Sequence, residues 1–334
     1  MLQLRIHGPG KVSLDEVDRP EPGPGQAVLR VEACGVCGSD LGYVALGGVA
    51  GPRPEPTDLG HEFSAVIDRV GEGVTRFSPG QRVVVNPIST GNNIGNGGPG
   101  GAFAPEVLVS GVDAGGVLFP IPDDLPADLA ALAEPLGVGM QAVNRADVSP
   151  GDRVTIFGAG PIGLMSLATL VYRGFEDVAI VDLSAKRLEL AAELGATLTL
   201  NPEDGDVWGP IEELHGTGRF MDVVPCAGSD AYIEASGAPT VIGDVIGRAK
   251  PGARISVVAL HRQPEPVNFI LLMSKEITLA GSMAYPEDFG EMVRMLQKVD
   301  LSSVITHRFP LDRAEEAIAV ARDASVAGKV VVTP

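Results

Sequence analysis

The sequence is poor in cysteine and in aromatic residues. Its 334 residues include three cysteines, Cys34, Cys37 and Cys226, and aromatic residues make up 4% of the chain. A small, odd number of cysteines does not build a disulfide framework and favours a reducing compartment. The first residues contain no apolar segment of the kind found in secretion signals, so we expect a cytoplasmic protein. No apolar run approaches the roughly 18 residues of a transmembrane helix, so a membrane protein is not expected.

Positive charge is scarce relative to negative charge. The chain has 25 lysine and arginine residues against 43 aspartate and glutamate residues, which gives a net charge of -18. A negative field repels phosphate backbones and anionic lipid, which excludes nucleic acid and membrane surfaces as expected partners and leaves a small-molecule substrate. The apolar fraction of 45% is enough for a large core, and the length predicts about two domains.

The pattern of predicted elements changes at Pro150-Gly151. Before this point, short β-branched runs at 28–32, 64–70 and 82–86 are separated by glycine and proline turns, which predicts a β-rich region. After it, short apolar strands alternate with helices, beginning with a strand at 153–157 and a helix at 161–172. This alternation predicts an α/β fold with a doubly wound parallel sheet covered on both faces.

A glycine-rich motif lies between that first predicted strand and helix. The first glycine allows a tight turn, the second lets a pyrophosphate approach the backbone, and the third lets helix and strand pack closely. The proline fits the first helical turn, and the helix N-terminus offers free N–H groups to phosphate. The motif predicts a dinucleotide site formed by Gly158, Gly160, Pro161, Ile162 and Gly163. A glycine-rich turn without a ligand is the alternative.

Asp182 ends the next predicted strand, about 20 residues beyond the glycine motif. A carboxylate there accepts hydrogen bonds from both ribose hydroxyls of NAD and repels the 2′-phosphate of NADP, so NAD is the predicted cofactor. Leu183 follows it within the predicted site, and Arg187 is placed to contact the adenosine ribose or to accommodate a phosphate. Asp182 as a solvated strand end is the alternative.

Two further segments and one glutamate carry metal-binding side chains. Cys37, the pair His61-Glu62 and Glu134 together supply a thiolate, an imidazole and carboxylates. This mixture is the ligand set of a catalytic zinc ion, which keeps one position open for water or substrate. Taken singly, a cysteine is more often a core residue and a histidine is more often just hydrogen-bonded.

These segments, in this order with the glycine motif, resemble the zinc-dependent medium-chain alcohol/polyol dehydrogenase family. The likeness covers essentially the whole chain, including Gly71-Glu72-Gly73-Val74 and the segment 328–332. It implies a catalytic domain formed by residues 1–145 and 285–334, built as a β-rich partly open barrel. Residues 146–284 would form the dinucleotide-binding domain. The resemblance also implies a homodimer or homotetramer.

The resemblance implies one catalytic zinc ion bound by Cys37 and His61. Glu134 stands at the position of the family's third protein ligand, and Glu62 either coordinates the ion or stands just outside it. Asp40 is expected to orient the His61 ring. Cys34 is then a packed thiol.

Ser39 is expected to take the proton of the substrate hydroxyl. The chain departs from many family members in two ways. The region 91–101 is a glycine and asparagine loop in which the four cysteines of a structural zinc lobe are absent, so no structural zinc is expected. Gly42 stands where some members place a histidine that ends the proton relay, which leaves Tyr43 as one candidate for that task or for lining the substrate pocket.

The remaining implied site residues lie in the second half of the chain. The resemblance places Ser236, Gly237, Ala259 and Leu260 near the nicotinamide half of the cofactor, and Lys329 near its pyrophosphate. Each of them is also compatible with an ordinary turn, strand or surface position.

The expected activity is reversible hydride transfer between a secondary alcohol, diol or polyol and NAD. The segment Glu134-Pro135-Leu136 and the Cys-Gly-Ser-Asp run are most similar to the sorbitol, butanediol and threonine dehydrogenase branch. One alternative is an NADP-linked carbonyl or imine reductase on the same scaffold. Another is a binding protein that kept the fold without the chemistry.

Overall fold

A computed structural model describes residues 1–334 and divides them into two units. The first unit comprises Met1–Glu134 and Asp288–Pro334, and the second comprises Pro135–Glu287. The first unit begins with eight strands and two helices: β1 (Leu2–Gly8), β2 (Lys11–Glu16), β3 (Gln26–Gly35), α1 (Gly38–Leu46), β4 (Thr57–Asp58), β5 (Glu62–Val70), β6 (Arg82–Val85), β7 (Glu106–Ser110), β8 (Leu118–Pro120) and α2 (Ala127–Ala130).

The second unit is built around a six-stranded parallel sheet. Its elements are α3 (Ala133–Arg145), β9 (Val154–Phe157), α4 (Pro161–Tyr172), β10 (Val178–Val181), α5 (Ala185–Glu193), β11 (Leu198–Leu200), α6 (Trp208–His215), β12 (Thr217–Phe220), β13 (Val224–Ala227), β14 (Ala231–Glu234), α7 (Val241–Arg248), β15 (Arg254–Val257), α8 (Phe269–Ser274) and β16 (Thr278–Gly281). The sheet order is β11-β10-β9-β14-β15-β16, and β12 and β13 form a separate hairpin. The order reverses between β9 and β14, which is where doubly wound sheets bind nucleotides.

The boundary between the units falls earlier than residue 145. Almost all of helix α3 belongs to the second unit, because it packs closely on helix α4. A Cβ atom at Gly139 would lie 2.6 Å from the Met165 backbone, and the Ser166 hydroxyl donates to the Gly139 carbonyl at 3.3 Å. Because Gly139 has no side chain, the axes of α3 and α4 can approach closely at this point. The change in the pattern of predicted elements at Pro150-Gly151 does not reveal this tertiary contact.

The end of the chain returns to the first unit as α9 (Gly290–Leu296), β17 (Ile305–Pro310), α10 (Ala314–Ala321) and β18 (Lys329–Thr333). These strands complete a seven-stranded sheet of order β17-β18-β3-β5-β6-β8, with β7 also paired to β3. Strand β3 has β5 on one side, and on the other side it pairs first with β7 and then with β18. Two register shifts in the pairing of β3 with β5 mark the irregularities that accompany this change of neighbour.

Each unit has its own apolar core. The β-rich unit buries Leu29 and Phe63 from adjacent strands, and the second unit buries Tyr232 and Ile255. Each fully buried large side chain contributes about 1.5–3 kcal/mol relative to exposure. The predicted fold class, a doubly wound parallel sheet with a separate β-rich domain, is confirmed. None of the helices combines the length and the apolar character needed to cross a membrane.

Candidate metal centre and nucleotide-binding loop

Strand pairing in the first unit brings the metal-binding segments together. Cys37 follows the end of β3 and caps the N-terminus of α1, and His61 immediately precedes β5. The antiparallel register sets Gly35 of β3 opposite Glu62 of β5. The end of one strand therefore lies beside the start of the other, although 24 positions separate Cys37 from His61 in the chain.

The candidate ligand atoms of Cys37, His61 and Glu62 all lie within 4.8 Å of one another. His61 and Glu62 are buried, whereas Cys37 is partly exposed, so the group lies at the edge of the protein interior. Glu134 is also buried but does not belong to this group of three. The geometry therefore favours Glu62 over Glu134 as the carboxylate nearest to the thiol and the imidazole.

Helix α1 also places two polar residues against the His61 ring. The Ser39 hydroxyl oxygen lies 3.4 Å from His61 Nε2, and Asp40 Oδ1 lies 3.5 Å from His61 Nδ1. The other oxygen of Asp40 accepts a hydrogen bond from the Cys37 backbone N–H at 2.9 Å. Asp40 thus fixes the start of the helix and faces the ring at the same time, a common arrangement around metal-binding histidines.

Electrostatics in this pocket raises the pKa values of both the Cys37 thiol and the His61 imidazole when no cation is present. Desolvation, followed by the charge of Glu62, raises the pKa of the Cys37 thiol. Burial alone would lower the pKa of His61, but the charges of Asp40 and Cys37 outweigh it and raise the pKa well above its usual value. A bound cation would favour the deprotonated forms of both groups and balance the negative charge of the pocket.

The donor set fits a zinc ion on two observations. Thiolate, imidazole and carboxylate are the usual zinc ligands, and all three are within reach of one point. In addition, Glu62 Oε1 is buried without a hydrogen-bond partner in the protein. Buried polar atoms are rarely left unpaired, so this carboxylate oxygen marks a place where a further group is needed.

Lys329 lies beside Glu62 in this pocket, and its expected place near the pyrophosphate stays a prediction. Its side chain is 1% exposed and its ammonium group pairs with the Glu62 carboxylate. Burial would lower the pKa of Lys329, but the charges of Glu62 and Cys37 raise it. Strand β18 brings the lysine here by pairing with β3, and a Cβ atom at Gly35 would lie 2.8 Å from its Cε.

Cys34 is a packed thiol. It is buried in the core of the β-rich unit, and burial raises its pKa well above the usual value. Its sulfur lies 3.0 Å from the position that a Cβ atom would take at Gly60, whose φ is +92°. Phe103 N lies still closer to that position, at 2.6 Å. Only glycine fits before His61 for both reasons.

The glycine and asparagine loop at 91–101 packs beside the same site. The Tyr43 hydroxyl donates to Asn96 Oδ1 at 3.1 Å, and a Cβ atom at Gly95 would lie 2.2 Å from the Gly60 carbonyl oxygen. The loop therefore supports both segments that carry the metal-binding side chains. Sequence reasoning missed Asn96, because no local pattern links a loop asparagine to a tyrosine on α1.

In the second unit, the three glycines of the motif have the environments that nucleotide binding requires. A Cβ atom at Gly158 would lie 2.7 Å from the backbone of Ala235 and Ser236, and one at Gly163 would lie 1.8 Å from the Gly158 carbonyl oxygen. Gly160, in contrast, is open, with Arg187 Nη1 at 3.6 Å as its nearest neighbour. The middle glycine thus leaves backbone accessible at the N-terminus of α4.

Asp182 follows strand β10 and holds the glycine-rich loop after β9 by a hydrogen bond. Its oxygens accept hydrogen bonds from the Ala159 N–H at 2.6 Å and the Ser184 N–H at 2.7 Å. Ser184 in turn caps α5 by accepting a hydrogen bond from the Arg187 N–H. Burial lowers the pKa of Arg187 and Asp182 opposes this effect. Leu183 is exposed.

The other implied cofactor residues lie in two adjacent loops at the same edge of the sheet. Ser236 and Gly237 follow β14, and Ala259 and Leu260 follow β15. A Cβ atom at Gly237 would lie 3.4 Å from the Leu260 carbonyl oxygen, so the two loops are in contact. Sequence reasoning missed the buried Glu234 beneath them, although a carboxylate at the end of an apolar strand is the signal that had identified Asp182.

Comparison with known protein families agrees with both sites. Residues 161–298 match a family model described as zinc-binding dehydrogenase, and residues 23–123 match one described as the alcohol dehydrogenase GroES-like domain. The first match covers most of the unit with the parallel sheet, and the second match includes Cys37, His61 and Glu62.

Individual relatives align over nearly the whole chain. The (R,R)-butanediol dehydrogenase of Neisseria gonorrhoeae is 32% identical over 94% of this chain and 93% of its own length. The human sorbitol dehydrogenase is 31% identical over 95% and 91%. The crystal structure of 2R,3R-butanediol dehydrogenase from Bacillus subtilis superposes with a TM-score of 0.86 at 28% identity, covering 100% of this chain and 99% of the other. The chain therefore belongs to the zinc-dependent medium-chain alcohol/polyol dehydrogenase family.

Proposed function

We propose that the protein catalyses reversible, zinc-dependent hydride transfer between a secondary alcohol, diol or polyol and NAD. The observation that carries this proposal is the group of three donor atoms from Cys37, His61 and Glu62 within 4.8 Å. The names of the relatives, which include butanediol and sorbitol dehydrogenases, support vicinal diols and sugar alcohols as the substrate class.

Cys37, His61 and Glu62 would hold one catalytic zinc ion, with Glu134 as the further or alternative carboxylate. When bound, zinc supplies a Lewis acid that favours loss of the proton from the alcohol hydroxyl. The charge of Glu134 contributes to raising the pKa of Lys329, as do the charges of Glu62 and Cys37. This shared effect supports Glu134 as a further carboxylate of the same pocket.

The protein's own residues would orient the site and move the proton. Ser39 Oγ would accept the proton of the alcohol and pass its own hydroxyl proton outward, because it is the hydroxyl group beside the His61 ring. Asp40 holds the ring in place and fixes the start of α1. Lys329 balances the buried charge of Glu62 and so keeps the carboxylate available in the pocket.

NAD would bind at Gly158, Gly160 and Gly163, with Pro161 and Ile162 opening helix α4. Asp182 supports NAD over NADP, since its carboxylate stands at the end of β10 and would meet a 2′-phosphate with like charge. Both of its oxygens already accept backbone hydrogen bonds, which fixes the charge in position. An NADP-linked carbonyl or imine reductase is the competing function, and the cofactor preference decides between them.

Replacing Asp182 with alanine is expected to weaken NAD binding about 10- to 100-fold and to reduce the discrimination against NADP. Two ribose contacts to a charged acceptor are lost, at about 1.5–3 kcal/mol in total, and the repulsion disappears with the carboxylate. Fluorescence titration with NADH and NADPH measures both effects. Asp177→Ala, which changes a carboxylate before the start of the same strand, is the matched control. Unchanged preference in the Asp182 variant would contradict the assignment.

The activity itself is tested by a screen of NAD reduction with secondary alcohols, vicinal diols, sugar alcohols and threonine, paired with metal analysis. We expect turnover with at least one hydroxylated substrate, about one zinc ion per chain, and loss of turnover on chelation. A protein with bound zinc that turns over none of these substrates with either cofactor would favour a non-catalytic binding role.

A homodimer or homotetramer in the cytoplasm is the proposed state of the protein. Strand β16 is the last strand of its sheet and has β15 as its one neighbour. Helix α8, just before it, exposes Phe269, Ile270 and Met273. An open strand edge next to exposed apolar side chains supports pairing with a second copy, and light scattering measures the resulting mass.

A further inference from the structure

The buried carboxylate of Glu234 has no role in the proposed reaction. It lies at the carboxyl end of β14 and is 1% exposed. Its Oε1 accepts hydrogen bonds from the N–H groups of Ser236 and Gly237, both at 2.9 Å, and from the Ser236 hydroxyl at 2.5 Å. One oxygen thus organises the whole turn after β14. A carboxylate buried at this depth is costly unless its charge is compensated.

His261 provides that compensation from the neighbouring loop. Its Nε2 lies 2.7 Å from Glu234 Oε2, and its side chain is 13% exposed. Because an ionised carboxylate only accepts hydrogen bonds, Nε2 carries the hydrogen and donates it. The contact joins two loops that are 27 residues apart in sequence, after β14 and after β15. The Ala259 N–H also donates to the Glu234 backbone carbonyl, at 3.2 Å.

The loop after β14 is in close contact with the glycine motif. The backbone of Ala235 and Ser236 lies where a side chain at Gly158 would be. Strands β9, β14 and β15 are adjacent and parallel, so their following loops meet at one edge of the sheet. Asp182 holds the glycine motif from the β10 side of β9, and Glu234 lies on the β14 side. The two carboxylates therefore flank the motif.

We propose that Glu234 and His261 are positioning residues of the dinucleotide site, which set the two loops that contact the nicotinamide half of the cofactor. This inference rests on the proposed binding of NAD. His261 acts through Glu234 and the loop backbone, because its Nε2 is engaged by the Glu234 carboxylate. Binding of the adenosine half of the cofactor is expected to depend on residues after β10, such as Asp182, and not on Glu234 and His261.

The test compares a whole cofactor with a fragment. In His261→Ala, the dissociation constant of NADH, measured by fluorescence titration, is expected to rise about tenfold, whereas that of AMP, measured by calorimetry, is expected to change less than twofold. His261→Gln, whose amide N–H group can replace the Nε2 donor, is expected to restore NADH binding to within about threefold. His261→Asn is too short to reach Glu234 and serves as the second test if the alanine variant does not fold.

Lys250→Ala is the matched control, because it breaks an ion pair at the opposite end of the same strand. Lys250 Nζ lies 2.6 Å from Asp230, which immediately precedes β14. We expect this variant to lose thermal stability without weakening NADH binding. NADH affinity in His261→Ala and His261→Asn equal to that of the wild type, or equal weakening of NADH and AMP binding, overturns the inference. Wild-type protein that binds AMP but no NADH would instead overturn the proposed function.

Discussion

Replacing Cys37 with alanine is expected to lower kcat/KM by about a thousandfold or more and to remove the bound zinc. The thiol is the one sulfur donor among the three grouped side chains, and two remaining donors hold a zinc ion poorly. A thousandfold loss corresponds to about 4 kcal/mol of transition-state stabilisation, within the range that a metal ion supplies. Metal analysis and steady-state kinetics measure the two losses independently.

The control for this variant is Cys34→Ala, three residues earlier in the chain. Cys34 is buried in the core, and its change to alanine removes one sulfur atom from a packed position, at a cost of about 1 kcal/mol in the free energy of unfolding. It is expected to keep zinc and activity. NADH binding should persist in the Cys37 variant, because the glycine motif belongs to the other unit. Normal turnover in the Cys37 variant would show that the metal site is assigned wrongly.

Replacing Lys329 with methionine is expected to lower the free energy of unfolding of the metal-free protein by about 3–5 kcal/mol. Methionine keeps most of the side-chain volume but leaves the Glu62 carboxylate buried without its cation, and breaking a buried ion pair from one side has this cost. Both side chains are 1% exposed, so solvent does little to screen the remaining charge. Urea unfolding of protein treated with a chelator measures the loss.

A double variant separates the missing charge from the altered packing. Adding Glu62→Gln to Lys329→Met removes the unpaired carboxylate and is expected to recover most of the lost stability. Zinc should also stabilise the single lysine variant more than it stabilises the wild-type protein, because the ion then neutralises Glu62. If the double variant is as unstable as Lys329→Met alone, lost packing and not charge explains the effect.

The elements of the second unit are largely readable from the sequence. The predicted helix at 161–172 has the bounds of α4, and the strand predicted to end at Asp182 corresponds to β10, whose last residue is Val181. Local signals suffice here because a short apolar strand, a glycine turn and a proline at the helix start each act over a few residues. The hairpin formed by β12 and β13 had no such signal and was not predicted.

The composition of the metal site depends on contacts that local patterns do not encode. The sequence offered Glu62 and Glu134 as ligands without a choice, and the register of β3 against β5 places Glu62 beside the thiol and the imidazole. The same strand, paired with β18, brings Lys329 to Glu62 from the far end of the chain. The family resemblance predicts a pyrophosphate contact for this lysine, and no local pattern in the sequence indicates its pairing with Glu62.

The sequence by itself determined the chemical identities: a thiolate, an imidazole and carboxylates for a metal, and three spaced glycines followed by Asp182 for a dinucleotide. These features are local, since each depends on side-chain chemistry or on backbone freedom within one turn. The tertiary structure decided which charges meet, namely Glu62 with Lys329 and Glu234 with His261. Such pairs form only when strand pairing closes long stretches of chain, and burial then makes each charge require its partner.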